Sequence, residues 1–205
     1  MLAAGSSSRF GRVIPKQYET LQGRRVIDWS LDHARGATDG VVLVVSPERA
    51  DDPEPAADVT VVGGRHRADS VRAGLAAVPD DAEVIVVHDA ARPLAGAGLF
   101  AAVIGAVRAG AAAAIPGLPV TDTIKRVIDG RVAETLDRSE LVAVQTPQAF
   151  RADLLRWAHA SGADATDDAA LVEAAGGEVL VVPGEPTNLK ITYAHDLAVA
   201  ALYLR

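Results

Sequence analysis

Three lysines are the residues most open to a chemical interpretation, because the other seventeen basic residues of the chain are arginines. They are Lys16, Lys125 and Lys190. A lysine presents a compact, mobile ammonium group that a planar guanidinium does not replace. Chance alone could produce this bias. The chemical interpretation of the lysines gains weight because Lys16 and Lys190 fall within candidate binding segments.

The first such segment is a loop rich in glycine and serine, from residue 2 to residue 11, which is followed by Pro15-Lys-Gln-Tyr18. Small residues let the backbone approach a phosphate closely, and Arg9, Arg12 and Lys16 add positive charge. The loop matches neither G-x-G-x-x-G nor G-x-x-x-x-G-K-[ST]. It predicts an anion-binding loop, with a flexible surface turn as the alternative.

A second segment, His88-Asp-Ala-Ala-Arg-Pro93, ends a valine-rich run in charged side chains. A carboxylate at the end of a strand is well placed to hold Mg²⁺, and an arginine three residues later can bind a phosphate through two hydrogen bonds. The alternative is an ion pair between Asp89 and Arg92 that stabilises the loop. His88 lies beside an apolar run and is interpreted as structural.

Further polar segments sit directly beside apolar ones. Gly63-Gly-Arg-His-Arg-Ala-Asp-Ser70 combines a turn, two arginines and a helix start that Asp69 or Ser70 could cap. The others are 144–148, 165–168 and 187–192. Singly, each is a turn or a cap. Together they predict hydroxyls and one ammonium at loops that converge on one crevice.

These segments must be positioned by regular elements, and the hydrophobic pattern predicts an α/β protein. Valine-rich runs typical of buried strands cover 41–45, 59–62, 84–87, 111–115, 179–182 and 189–192. Helical spacing covers 26–35, 68–78, 99–109, 151–160 and 168–175. This alternation predicts a mostly parallel sheet with helices on both faces, which binds ligands where strands end.

One segment departs from this alternation. Residues 120–128 alternate in polarity and meet 131–135 across Asp129-Gly130, which is a strong β-hairpin signal. A two-stranded ribbon is barely stable alone, so it must pack on its own domain or on a second subunit. We therefore predict one domain over 1–205 with a protruding hairpin arm at about 119–140.

Composition limits the function further. The 205 residues carry a net charge of -7, which argues against a sequence-blind nucleic-acid binder, and no apolar run is long enough to span a membrane. The lack of a membrane span and of a signal-peptide pattern predicts a cytoplasmic protein, and the absence of cysteine agrees with this prediction. Only Met1-Leu-Ala-Ala4 precedes Gly5, where this architecture calls for a strand. Either the true start lies upstream or this short segment suffices.

Eight motifs occur in an order that identifies a family. They are A-A-G-x-x-x-R, P-K-Q-Y, R-A-D-S-V, H-D-A-A-R-P, D-T-I-K-R, Q-T-P-Q-A-F, T-D-D and N-L-K-I-T. The chain resembles the 2-C-methyl-D-erythritol 4-phosphate cytidylyltransferases of the non-mevalonate isoprenoid pathway. The resemblance implies a Rossmann-like nucleotidyltransferase fold, CTP and a sugar-alcohol phosphate as substrates, Mg²⁺ as cofactor, and a homodimer formed through the hairpin arm.

The resemblance also implies roles for single residues. The catalytic cations are Arg9, Lys16 and Lys190. The nucleotide-binding residues are Ala3, Ala4, Gly5, Gly64, Ser70 and Asp89, and Asp89 is also the metal ligand. The residues that bind the acceptor substrate are Arg92, Thr123, Arg138, Thr146 and Thr166. Of these, Thr123 and Arg138 match residues that the arm delivers into the neighbouring subunit's site.

Two substitutions keep other functions open. Arg65 and Thr187 stand where members of the family often have acidic residues, so Asp89 is the one metal ligand that we predict. A ribitol-5-phosphate cytidylyltransferase is an alternative of the same chemical class, and a nucleotide-binding domain without catalysis is a third. The absence of a Gly-x-Gly fingerprint argues against a dinucleotide-dependent dehydrogenase.

Overall fold

A computed structural model describes residues 1–5, 7, 9–160 and 167–204. The strands are β1 Thr20–Leu21, β2 Arg24–Arg25, β3 Val42–Val45, β4 Val59–Val62, β5 Val84–Val87, β6 Ala113–Pro119, β7 Lys125–Ile128, β8 Arg131–Thr135, β9 Val142–Val144, β10 Gln148–Arg151 and β11 Val179–Pro183. The α-helices are α1 Val26–Arg35, α2 Arg67–Leu75, α3 Ala97–Arg108, α4 Ala152–Ala160, α5 Asp168–Ala174 and α6 Asp196–Tyr203.

The central strands run mostly in one direction, as the sequence predicts. β3 pairs in parallel with β4, and β6 pairs in parallel with β11. β10 lies antiparallel between β5 and β6, so those two strands run in the same direction. The carboxyl ends of β4, β5, β6 and β11 therefore share one edge, where loops can combine into a site.

Met1, Leu2 and Ala3 lie between β3 and β5. Leu2 forms parallel bridges with Val44 and with Asp89, and its N–H donates to the carbonyl of His88 at 2.8 Å. This short segment joins the two halves of the sheet at the edge that carries the site. Beyond it, between β3 and β5, a cavity of about 710 Å³ is lined mainly by apolar side chains.

Helices cover both faces of the sheet because residues on a strand point to alternate sides. On β5, Val84 and Val86 pack toward α3, and Ile85 and Val87 pack toward α2 and α4. α1 buries positions spaced three and four residues apart against β3 and α3. The predicted α/β architecture is confirmed, and α1 has its predicted bounds.

The hairpin forms where the sequence predicts it. Asp129 and Gly130 both have positive φ angles, +49° and +74°, as the tight hairpin turn that suits twisted strands requires. β7 and β8 pair only with each other among the described residues, and every residue of both strands is exposed. The ribbon therefore does not pack on the domain from which it projects.

One predicted strand does not form, and four short strands were not predicted. Residues 189–192 form no strand, although the Ile191 N–H donates to the Ala91 carbonyl at 2.8 Å. The strands that were not predicted are β1, β2, β9 and β10. Each is two to four residues long, and β10 mixes apolar residues with Gln148 and Arg151. In the described ranges, no helix has the length and apolar character needed to cross a membrane.

Candidate active site

A cavity of about 390 Å³ opens at the carboxyl edge of the sheet. Its walls come from the loops that follow Leu2, β4, β5 and β11. The lining residues are Leu2, Ala3, Ala4, Gly5, Lys16, Gln17, Gly64, Arg65, His66, Arg67, Ser70, Asp89, Ala91 and Lys190. The structure thus brings together segments that are up to 188 positions apart, as Leu2 and Lys190 are.

Gln17 fixes the first loop. Its side-chain amide donates to the Ala3 carbonyl at 2.6 Å and to the Gly5 carbonyl at 3.4 Å, and it is buried. Its carbonyl oxygen accepts from the Ser7 hydroxyl at 3.2 Å. Because these carbonyls are held from behind, the backbone of residues 3–5 keeps one shape at the cavity wall. Gln17 belongs to the P-K-Q-Y motif, but the sequence alone predicts no role for it.

The segment after β4 approaches the first loop closely. A Cβ atom on Gly63 would lie 2.7 Å from Ala4 Cβ and 2.7 Å from Ser70 Oγ, which is closer than such atoms can pack. Asp69 accepts from the His66 N–H at 3.0 Å, so it caps α2 as predicted. Gly64 and Ser70 reach the cavity together with Ala3, Ala4 and Gly5.

Asp89 and Lys190 form an ion pair inside the cavity. Lys190 Nζ lies 2.6 Å from Asp89 Oδ2, although the residues are 101 positions apart. Burial opposes ionisation of Asp89, but the charges of Lys190, Arg67 and Arg92 outweigh it and hold the pKa of this carboxyl below its usual range. The sequence alternative, a direct ion pair between Asp89 and Arg92, is not what forms.

Lys16 is a partly buried cation at the same cavity. Burial lowers the pKa of its ammonium to about 8, and the charges of Lys190 and Arg9 act in the same direction. Arg9 is exposed and does not line the cavity, but its charge is felt at Lys16. Arg12 turns away and pairs with Glu19 at 3.2 Å.

A buried amide network holds the loop that carries Lys190. The Gln145 side chain donates to the Glu185 carbonyl at 2.9 Å and accepts from the Glu185 N–H at 3.1 Å. Asn188 donates to the Thr146 carbonyl at 3.0 Å and is fully buried. Arg92 donates to the Asn188 carbonyl at 2.8 Å, so its guanidinium is partly engaged in positioning this loop.

Thr146 and His88 fix the backbone of Asp89. The Thr146 hydroxyl accepts from the Asp89 N–H at 3.0 Å and lies 3.0 Å from His88 Nδ1. Burial lowers the pKa of His88 to about 3, so the ring is neutral. His88 is therefore structural, as its position beside an apolar run indicates.

Comparison with known proteins shows to which family the chain belongs. The family model for 2-C-methyl-D-erythritol 4-phosphate cytidylyltransferase (IspD) matches residues 1–205. The chain belongs to this family. It is accordingly a cytidylyltransferase and has a nucleotidyltransferase fold, as its sequence predicts.

Individual cytidylyltransferases agree with this assignment. The enzyme from Rhodococcus jostii is 48% identical over 205 residues, which cover 97% of this chain and 90% of that protein. A bifunctional enzyme IspD/IspF from Solidesulfovibrio magneticus is 45% identical, and there the match covers 97% of this chain but 54% of the relative. The chain thus spans about half the length of such bifunctional relatives.

A solved cytidylyltransferase has the same fold. The crystal structure of 2-C-methyl-D-erythritol 4-phosphate cytidylyltransferase from Thermus thermophilus superposes with a TM-score of 0.85 at 35% identity. The superposition covers 100% of this chain and 96% of that one.

The cavity of this cytidylyltransferase contains most, but not all, of the residues predicted for it. Ala3, Ala4, Gly5, Lys16, Gly64, Ser70, Asp89 and Lys190 line it. Arg92 and Thr146 lie behind it and support Asp89 or the Lys190 loop. Thr123 and Arg138 are exposed at the base of the hairpin arm, where Arg138 donates to the Thr121 carbonyl, and they do not line this cavity. Thr166 lies outside the described residues.

Proposed function

We propose that this cavity transfers the cytidylyl group of CTP to 2-C-methyl-D-erythritol 4-phosphate. A phosphate oxygen of the acceptor attacks the α-phosphorus of CTP, a new P–O bond forms, and the bond to the β-phosphate breaks. Its electrons leave with pyrophosphate. The observation that supports this reaction most directly is that Lys16 and Lys190 line one cavity with the glycine-rich loop and Asp89.

Charge is the main obstacle to this reaction, because two polyanions must meet at one phosphorus atom. The acceptor phosphate, with a second pKa of about 6, is already largely dianionic at pH 7, so no protein base is needed to activate it. Lys16 and Lys190 would neutralise charge that develops on the triphosphate, and Arg9 lies near enough to contribute. Catalysis is then mainly positioning and electrostatic stabilisation.

The nucleotide would lie against the rigid part of the cavity. The backbone of Ala3, Ala4 and Gly5, held by Gln17, provides a surface without large side chains. Gly64 and Ser70 line the same cavity. A site of this kind accepts a flat base between two fixed backbone segments, which suits the cytidine end of CTP.

The donor set of the cavity fits one Mg²⁺ ion held jointly with substrate phosphates. Of the described residues that line it, Asp89 alone carries a carboxylate, and the described chain holds no cluster of three acidic or histidine ligands. Mg²⁺ commonly binds through one or two carboxylates together with substrate phosphates. Bound there, the ion would supply electrostatic stabilisation of the phosphates, and Asp89 would be its protein ligand.

We further propose that the enzyme is a homodimer in which the hairpin arm reaches the partner's cavity. The arm carries exposed apolar residues, Val127, Ile128 and Val132, each more than half exposed. A ribbon of this kind gains stability only when another surface covers it. Thr123 and Arg138 would then complete the acceptor side of the partner's site. A cytoplasmic location stays a prediction from the sequence alone.

Release of pyrophosphate tests the proposed reaction. The purified protein is assayed with Mg²⁺, each of the four nucleoside triphosphates, and either 2-C-methyl-D-erythritol 4-phosphate or ribitol 5-phosphate. We expect release with CTP and the methylerythritol phosphate alone. Turnover with ribitol 5-phosphate would instead support the alternative acceptor, and CTP binding without turnover would support a non-catalytic domain.

A further inference from the structure

Arg67 is a cation of the cavity to which neither the sequence motifs nor the proposed reaction assigns a role. It is the first residue of α2 and lines the cavity together with Asp89 and Lys190. About a third of its side chain is exposed. The guanidinium is therefore set into the wall, with part of its surface open to whatever the cavity holds.

A buried carboxylate holds this guanidinium from behind. Arg67 donates to Asp168 Oδ2 at 2.7 Å, across 101 positions of sequence. Asp168 begins α5, and only 1% of its side chain is exposed. Burying a carboxylate is costly unless it is paired and hydrogen-bonded, so this position is chemically specific.

His159 completes the support on the other side of Asp168. Its Nε2 lies 3.0 Å from Asp168 Oδ1, and the ring is buried on α4. Burial alone would raise the pKa of Asp168, but the hydrogen bond from His159 and the charge of Arg67 lower it below its usual range. The carboxylate therefore stays ionised and ties α2 to both α4 and α5.

The fixed guanidinium keeps donors for a second anion. Arginine has five N–H donors, and the hydrogen bond to Asp168 that the described residues show uses one of them. Arg67 lines the same cavity as Asp89 and Lys190, so its remaining donors lie beside the space that the cavity encloses. A planar fork anchored at one edge is a geometry well suited to a phosphate.

We propose that Arg67 binds the phosphate of the acceptor substrate, and that Asp168 and His159 are positioning residues that aim its guanidinium into the cavity. This assignment depends on the proposed cytidylyl transfer and adds a phosphate-binding group to it. Lys16, Lys190 and Arg9 then serve the triphosphate, and Arg67 serves the attacking group. The two polyanions would meet between separate sets of cations.

Steady-state kinetics of the variants Arg67→Met and Arg67→Lys test this assignment. We expect Arg67→Met to raise KM for 2-C-methyl-D-erythritol 4-phosphate about tenfold or more, because a charge-assisted hydrogen bond is lost, and to change KM for CTP little. Arg67→Lys keeps the charge without the fork and should recover part of the loss. Arg151→Met is the matched control, because Arg151 is exposed and pairs with Asp153 on the surface.

A double-mutant cycle separates positioning from mere structural support. If Asp168 acts through Arg67, then Asp168→Asn raises KM for the acceptor in the wild-type background but adds little to Arg67→Met. His159→Gln, which keeps a donor near Asp168, should have a smaller effect of the same kind. Thermal unfolding of each variant identifies those that fail to fold. If Arg67→Met does not fold, the kinetics of Arg67→Lys still test the assignment.

Two results would overturn the inference. One is an unchanged KM for the acceptor in a folded Arg67→Met variant, and the other is a rise in KM for CTP alone. Both are distinguishable from failure of the proposed function, because in that case the wild-type protein itself would release no pyrophosphate from CTP and the acceptor.

Discussion

At the scale of single residues, Lys190 has two partners to consider: Asp89 in this structure and a substrate phosphate in the proposed reaction. The ammonium lies 2.6 Å from the carboxylate, within the cavity that we assign to the triphosphate. Phosphate groups entering the cavity would compete with Asp89 for Lys190 and would leave the carboxylate available to a metal ion. The pair therefore holds both side chains in place before substrate arrives.

Replacing this cation should cost catalysis more than stability. We expect Lys190→Ala to lower kcat by about 10²–10³, or roughly 3–4 kcal/mol in the transition state, as for other fixed groups that stabilise developing charge. Single-turnover kinetics and thermal unfolding measure the two effects, with Arg35→Ala as a surface control, since Arg35 pairs with exposed Asp58. An unchanged kcat in a folded Lys190→Ala enzyme would remove Lys190 from the mechanism.

The lowered pKa of Lys16 predicts a pH dependence. Because burial places this pKa near 8, the free enzyme loses the Lys16 charge as pH rises through that value. We expect kcat/KM for CTP, which reports the free enzyme, to fall above about pH 8. The fall in kcat should begin at higher pH, because bound phosphates favour the charged ammonium.

Lys16→Arg provides the control for this profile. Arginine stays protonated over the whole accessible range, so the variant should show no fall in kcat/KM between pH 8 and pH 9 even if its activity is lower. The same alkaline fall in both enzymes would assign it to another group.

At the scale of secondary-structure elements, close packing of the first loop on α2 shapes the nucleotide side of the cavity. Gly63→Ala should separate these elements, because its Cβ would meet Ala4 and Ser70 at 2.7 Å. We expect a loss of about 1–3 kcal/mol in the free energy of unfolding and weaker CTP binding. Urea unfolding and calorimetric titration with CTP measure these effects.

Gly98→Ala is the matched control for this substitution. Gly98 is exposed in α3, and no atom lies within 4 Å of the position that a Cβ would occupy. Alanine should stabilise the helix there by up to about 1 kcal/mol without changing CTP binding. If both substitutions behaved alike, close packing at Gly63 would not be the cause.

The elements also show what sequence can and cannot predict. Valine-rich runs such as β3 and β5 are buried on both faces, so their continuous apolar pattern is readable, and α1 has clear helical spacing. β10 carries Gln148 and Arg151 and is recognisable only through its pairing with β5 and β6. Residues 189–192 look like a strand, but the Ile191 N–H donates to the Ala91 carbonyl, which belongs to a loop, and no strand ladder forms.

The residues of the candidate site also differ in how well the sequence predicts them. The first loop, Asp89 and Lys190 were predicted because they interrupt or follow apolar runs with groups that bind phosphates. Gln17, Asn188 and Arg67 were not assigned, because their roles depend on partners such as Asp168 that only the folded chain brings near. The signal available was that each lies inside or beside a recognised motif, which does not distinguish support from contact with substrate.

At the scale of the whole molecule, the hairpin arm is the feature that one chain does not explain. Its residues are exposed on both faces, whereas Thr123 and Arg138, assigned to the acceptor site, lie away from the cavity of their own chain. An arm that enters a second subunit's site would account for both facts. In a two-fold dimer, each site would then combine the body of one subunit with the arm of the other.

Mixing two inactive variants tests this arrangement. Arg138→Ala removes an arm residue, and Lys190→Ala removes a body residue. In a mixed dimer, one of the two sites has both residues intact. Random exchange between equal amounts of the two variants makes about half of the dimers mixed. We therefore expect about a quarter of wild-type activity to be recovered. Separately assayed variants give the baseline, and native mass spectrometry verifies that mixed dimers form. Mixed dimers without recovered activity, or a purely monomeric protein, would contradict a shared site and would require Arg138 to act within its own chain.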